Sequence, residues 1–182
     1  MKSAWIILAD GFEEVEAVTP LDYLRRAGIE VSLVSLSSPM VVSARKVSIL
    51  CDALLSDLSG HPLPDALILP GGLPGSKRIA ASDAVKALAI RMFDDKRLVG
   101  AICAAPALCL AAWGLLEDRA WTCYPGLGDS CVPLPVDKRV VVDGNLITAR
   151  GAGVAEEFAL ALVTALCGIE EAEKVSRAII AR

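Results

Sequence analysis

Short runs of aliphatic and β-branched residues recur along this chain, and most are followed by a longer stretch with helical periodicity. Strands that alternate with helices build βαβ units, and such units close into a parallel sheet covered on both faces. Residues 3–9 read as the first strand and 13–27 as the first helix, ended by Gly28. A second strand is predicted over 30–36 and a buried one over 65–69, punctuated by Pro70-Gly71-Gly72. Residues 83–94 form a helix, 98–102 a strand and 104–112 a further helix that stops near Gly114. Two hairpins are expected: 40–43 with 47–50 around Ala44-Arg45, and 139–142 with 146–149 around Asp143-Gly144-Asn145. Helices over 154–167 and 170–180 complete the pattern. No repeat, linker or low-complexity stretch interrupts it, so residues 1–182 are expected to form one domain with an α/β/α layering and a mostly parallel sheet.

Composition agrees with that reading. Of the 182 residues, 54% are hydrophobic and 22% charged, which excludes a disordered chain. Aromatic residues make up only 4%, so Ala, Val, Leu and Ile must fill the core. The net charge of −4 carries no basic stripe, which argues against nucleic-acid binding. No segment approaches the roughly 20 apolar residues of a membrane helix. No targeting signal is apparent, so a cytoplasmic location is the expectation. The six cysteines form no CxxC pair and there is one histidine, so neither disulfide staples nor a metal site are expected.

Three segments carry the candidate chemistry. In Gly100-Ala-Ile-Cys103-Ala-Ala-Pro106 a strand ends, a cysteine occupies the turn and small residues open a helix. That is the layout of a nucleophile elbow, at the sheet edge where open α/β folds place their sites. A helix N-terminus offers free N–H groups and partial positive charge, both of which are expected to lower the thiol pKa. After the strand at 65–69, Gly71 and Gly72 suit an anion-binding nest, a candidate oxyanion hole. In the segment from Asp10 to Glu16, Asp10 and Glu13 have capping-box spacing, so Glu13 and Glu14 are expected to be dipole partners only. Glu16 lies on the same sheet edge as Cys103. A carboxyl group beside a thiolate has its pKa raised and can donate a hydrogen bond to sulfur. His61 precedes the 65–69 strand and so falls at the opposite edge, which disfavours a cysteine–histidine dyad.

The segments Ile7-Leu-Ala-Asp-Gly-Phe-Glu-Glu-Val-Glu16, Leu69-Pro-Gly-Gly72, Ala101-Ile-Cys-Ala-Ala-Pro106 and Arg150-Gly-Ala-Gly153 together resemble the ThiJ/PfpI (DJ-1) family, which is related to class I glutamine amidotransferases. The resemblance implies a flavodoxin-like sandwich, usually a homodimer, with no cofactor. It implies Cys103 as a readily oxidised nucleophile, Glu16 sharing a proton with it, and the N–H groups of Gly72 and Ala104 as the oxyanion site. It also implies that Arg45 approaches the partner subunit's site. Many relatives carry a histidine near the cysteine where this chain has Tyr124, in Thr122-Cys-Tyr-Pro125. Tyrosine, with an unperturbed pKa near 10, is a poor base at neutral pH.

Three functions compete. The first is glyoxalase- or deglycase-type attack of Cys103 on a small reactive carbonyl or a glycated protein. The second is a redox sensor or redox-dependent chaperone working through oxidation of Cys103. The third, a peptidase or amidase, needs a partner's histidine or unusual work from Tyr124.

Overall fold

The computed structural model describes residues 1–181. Its centre is a seven-stranded sheet built from β1 (Ser3–Leu8), β2 (Glu30–Ser35), β5 (Ala53–Leu54), β6 (Ala66–Leu69), β7 (Leu98–Ile102), β8 (Val140–Asp143) and β9 (Leu146–Ala149). Their order across the sheet is β5-β2-β1-β6-β7-β9-β8. All neighbours run parallel except β8, which returns antiparallel to β9 across the turn at Gly144. The hairpin of β3 (Met40–Val42) and β4 (Ser48–Leu50) stands apart from the sheet.

Strand alternation explains the three layers. On β1 and β6, Ile6, Leu8 and Ile68 point to one face, while Ile7, Leu67 and Leu69 point to the other. The first face packs on α1 (Glu14–Arg26) and α4 (Ala155–Cys167), with α5 (Ile169–Ala178) lying on α4. The second face packs on α3 (Asp83–Asp94), through Val85, Leu88 and Met92, and on the segment Pro106–Ala111. Gly100 makes α4 fit closely, because a Cβ there would meet Leu162 at 2.9 Å and Phe158 at 3.0 Å.

The structure departs from the sequence reading in four places. Residues 104–112 do not form a regular α-helix: Pro106–Ala111 is π-helical, with Ala112 N–H donating to the carbonyl of Ala107. The short helix α2 (Gly75–Ala80), the strand β5 and the 3-10 turn Leu55–Leu58 carry too few residues to show a period. Asp10 and Glu13 form no capping box. Asp10 Oδ1 instead accepts from Val42 N at 2.8 Å, tying the β3–β4 hairpin to the end of β1, and Glu13 precedes α1 with no side-chain cap. Finally, Ile180 closes α5 with a positive φ of 58°, two residues after its last helical turn at Ala178.

Candidate active site

Cys103 follows the last residue of β7 and has φ 64°. For a residue with a Cβ this left-handed conformation costs about 1–2 kcal/mol, and it persists only where neighbours impose it. They do: Cys103 N donates to Ala149 O of β9 at 2.8 Å, and Tyr124 N donates to Cys103 O at 2.8 Å. The turn swings the side chain off the sheet edge, toward the loop after β6 and the first turn of α1.

Glu16 comes to that point from α1. It is 1% exposed, and its Oε2 accepts from Gly71 N at 2.8 Å. The backbone N–H of Ala152 also bonds to the carboxyl group, and the Cys103 side chain shares a hydrogen bond with it. Gly71 permits the approach because a Cβ there would sit 2.5 Å from Glu16 Oε2 and 2.6 Å from Cys103 Cβ. Gly72 follows with φ 92°, and its N–H, with that of Ala104, points at the Cys103 sulfur. Two donors on one sulfur form the kind of nest that holds a developing oxyanion.

The sequence and fold of the chain are similar to those of known proteins. The DJ-1/PfpI family model matches residues 2–165. The chain belongs to the DJ-1/PfpI family. It is 40% identical over 183 residues to the Drosophila melanogaster protein dj-1beta, covering 98% of this chain and 97% of the fly protein. It is 34% identical over 174 residues to the glutathione-independent glyoxalase DJR-1.2 of Caenorhabditis elegans, covering 93% and 91% of the two. Protein DJ-1 homolog B of Arabidopsis thaliana is 38% identical over the whole chain, which spans 42% of that longer plant protein. The structure of oxidized Toxoplasma gondii DJ-1 superposes with a TM-score of 0.96 at 33% identity, covering 100% of this chain and 99% of that one. The flavodoxin-like α/β/α arrangement of the DJ-1/PfpI family is therefore the fold of this chain.

Within this family member the two central groups perturb each other. Burial raises the Glu16 carboxyl to about 7, aided by the charge of Glu13 and opposed by the hydrogen bonds from Gly71, Cys103 and Ala152. Burial also pushes the Cys103 thiol up to about 12, with the Glu16 carboxylate as the next cause; the N–H groups of Gly72 and Ala104 pull the other way. The lowering expected from a helix N-terminus is thus outweighed. Behind the elbow the chain is π-helical, and the nearest charge is an anion.

A buried carboxyl group and a half-buried thiol this close ionise as a pair. Above the first ionisation the pair holds one proton. When that proton sits on Glu16, the charge opposing the thiolate disappears and an O–H donor to sulfur replaces it. Glu16 therefore acts on the Cys103 thiol through its protonation state.

The remaining predicted residues gather at the same place. A cavity of about 280 Å³ above the thiol is lined by Gly72, Cys103, Ala104, Tyr124 and Arg45, all of them singled out in the sequence. Arg45 lines the cavity over the Cys103 of its own chain. Tyr124 is 53% exposed and reaches the elbow through its backbone N–H, with its ring near Gly151. His61 lies in an exposed loop before β6, in a separate cleft with Trp5 and Leu63. Among the described residues, no group of three or more His, Cys, Asp or Glu side chains is placed to hold a metal ion, and no helix is long and apolar enough to cross a membrane.

Sequence reasoning missed Ala152, whose N–H supports Glu16, and Glu13, Ala44, Leu73 and Leu127, which complete the cavity wall. The Gly-Ala-Gly run directly after β9 was a usable signal for the first, because it lies at the sheet edge next to β7. These four wall residues come from four separate loops that share no motif.

Proposed function

We propose that this protein converts α-oxoaldehydes to 2-hydroxy acids without a cofactor, using Cys103 as nucleophile and Glu16 as proton carrier. The thiolate adds to the aldehyde carbon and a hemithioacetal forms, its oxyanion facing the N–H groups of Gly72 and Ala104. Glu16 moves the hydrogen from the former aldehyde carbon to the neighbouring carbonyl carbon. The first carbon is thereby oxidised to a thioester and the second reduced to an alcohol. Water cleaves the thioester, releasing the 2-hydroxy acid and restoring the thiol. One water is consumed and no external oxidant or reductant is needed.

The observation that carries this reading is the contact of one buried carboxyl group with both the thiol and the glycine nest, since such a group can accept and return a proton at the reacting carbons. The name of the nematode relative points the same way. No histidine stands beside the thiol and the hydroxyl of Tyr124 is a weak base, so peptide or amide hydrolysis has less support. Glycated protein would enter by the same attack. In the absence of glutathione, wild type should form lactate from methylglyoxal and Cys103→Ala should lose about a thousandfold or more of that rate. Equal rates would contradict the reading.

A redox-sensing role has support of its own. A sulfinate on Cys103 would meet the Gly72 and Ala104 donors and a protonated Glu16 without rearrangement. Mild peroxide should then modify Cys103 ahead of the exposed Cys167.

We further propose that the chain works as one domain and as a homodimer, in the cytoplasm. Val15 and Val18 on α1 and Met40, Val42 and Leu50 on the β3–β4 hairpin are exposed apolar side chains. Beside them Glu14 Oε2 is buried with no hydrogen-bond partner among the described residues. A second copy covering this face would bury the first set and could supply a donor to the second. Weighing the complex in solution tests it: a dimer is expected, and a monomer at micromolar concentration would contradict it.

A further inference from the structure

We infer that the substrates of this site are α-oxoaldehydes bearing a branched alkyl or aryl group, and that Leu73 and Leu127 set that preference. The inference rests on the α-oxoaldehyde reading above and concerns the part of the substrate that does not react.

The cavity over Cys103 measures about 280 Å³. That is close to the lower end of the range for small-molecule sites, about 300 Å³, whereas methylglyoxal has five non-hydrogen atoms. The thiol and the Gly72 and Ala104 donors occupy the floor and can engage only the two carbonyl groups. The space above them is bounded by Ala44, Leu73, Tyr124 and Leu127. Leu73 is 50% exposed and Tyr124 53% exposed, so two large apolar side chains stand uncovered around the opening. The lining holds one acid, Glu13, and one base, Arg45, which leaves no net charge to favour an anionic or cationic substituent. A methyl group would leave most of this wall facing water. A branched alkyl or phenyl group would cover it, and apolar area removed from water is the dominant favourable contribution to such binding. Energy gained there, away from the reacting carbons, can also hold the carbonyl against the thiol in a productive orientation.

The test compares 3-methyl-2-oxobutanal, the isopropyl homologue, with methylglyoxal. Each kcat/KM is divided by the equilibrium constant for hemithioacetal formation with 2-mercaptoethanol, which removes the intrinsic difference in electrophilicity. The isopropyl compound should be favoured about tenfold, in line with two extra buried carbons. Leu127→Ser and Leu73→Ser should each reduce that ratio by about threefold or more. A wild-type ratio of one or less would overturn the inference, as would a ratio that neither substitution lowers.

A second readout does not depend on turnover. The acid products should protect Cys103 from iodoacetamide, with 2-hydroxy-3-methylbutanoate effective at about a tenfold lower concentration than lactate. If neither aldehyde is converted, the α-oxoaldehyde reading fails, and the protection experiment still decides the apolar preference: a tenfold difference sustains it and equal protection overturns it.

Discussion

Cys103 and Cys109 lie on either side of the start of the same irregular segment, and burial pushes both thiols up to about 12. The causes differ. For Cys109 burial is the whole cause, and its sulfur donates only to the carbonyl of Ser76 at 3.4 Å. For Cys103 burial is joined by the Glu16 carboxylate and opposed by two backbone donors. Burial alone therefore holds Cys109 neutral, whereas part of what holds Cys103 neutral is a charge that a single proton removes. In the proposed reaction, Cys103 would thus be governed by a partner that can be switched rather than by a permanently lowered pKa.

The strongest way to break that contrast is to separate the partners. Gly71→Ala places a methyl group 2.5 Å from Glu16 Oε2 and 2.6 Å from Cys103 Cβ, so one of them must leave. Methylglyoxal conversion should fall about a hundredfold or more, because catalysis depends on positions held to a fraction of an ångström. Overpacking should also cost about 1–3 kcal/mol of stability in chemical denaturation. Activity within a few-fold of wild type would show that the pair is not the working unit.

Next in size is the effect of the buried charge on stability. The folded protein holds the Glu16 proton up to about 7, while an ordinary glutamate releases it near 4.5. Between those values the native state binds more protons than the unfolded chain, so stability falls as pH rises through this window and stays lower above it. Glu16→Gln keeps an acceptor for Gly71 N and removes the charge. At pH 8 it should be more stable than wild type by roughly 3 kcal/mol, the difference closing as pH falls toward 4.5. Parallel stability profiles for the two proteins would contradict the assignment.

The smallest effect sharpens the contrast from the other side. Cys109→Ala removes a sulfur from a packed interior and should cost about 1 kcal/mol of stability. It should leave the pH dependence of Cys103 reactivity where it was, since no charge couples the two. A shifted Cys103 profile in this variant would mean that the helical segment, not Glu16, controls the elbow.

Much of this molecule is legible in its sequence, for identifiable reasons. The longer strands of the sheet have alternating or continuous apolar runs, and β7 could be read to the residue, whereas the two-residue β5 left no such signal. Cys103 and Glu16 were recoverable because each lies at the carboxyl end of a strand or just past it. What escaped depends on contacts between segments distant in sequence. Asp10 has capping-box spacing, but the β3–β4 hairpin offers it Val42 N as a better donor. Residues 106–111 have ordinary helix formers, yet Pro106 and the strained turn before it are followed by π rather than α hydrogen bonding. The direction of the thiol shift was also hidden, because burial and the place of Glu16 follow from packing, whereas helix polarity follows from local order. Leu73 and Leu127 belong to loops whose sequences carry no period, and only the folded chain brings them to one cavity.

The most direct test of the Cys103–Glu16 pair is the rate of Cys103 alkylation by iodoacetamide from pH 5 to 11, read at each cysteine by mass spectrometry, in wild type and Glu16→Gln. In wild type the rate should rise with an inflection near 7, as the pair loses its first proton, and then level off. In Glu16→Gln that inflection should vanish and a single later titration remain. Identical profiles for the two proteins, with Cys103 reacting no faster than Cys109, would contradict the account.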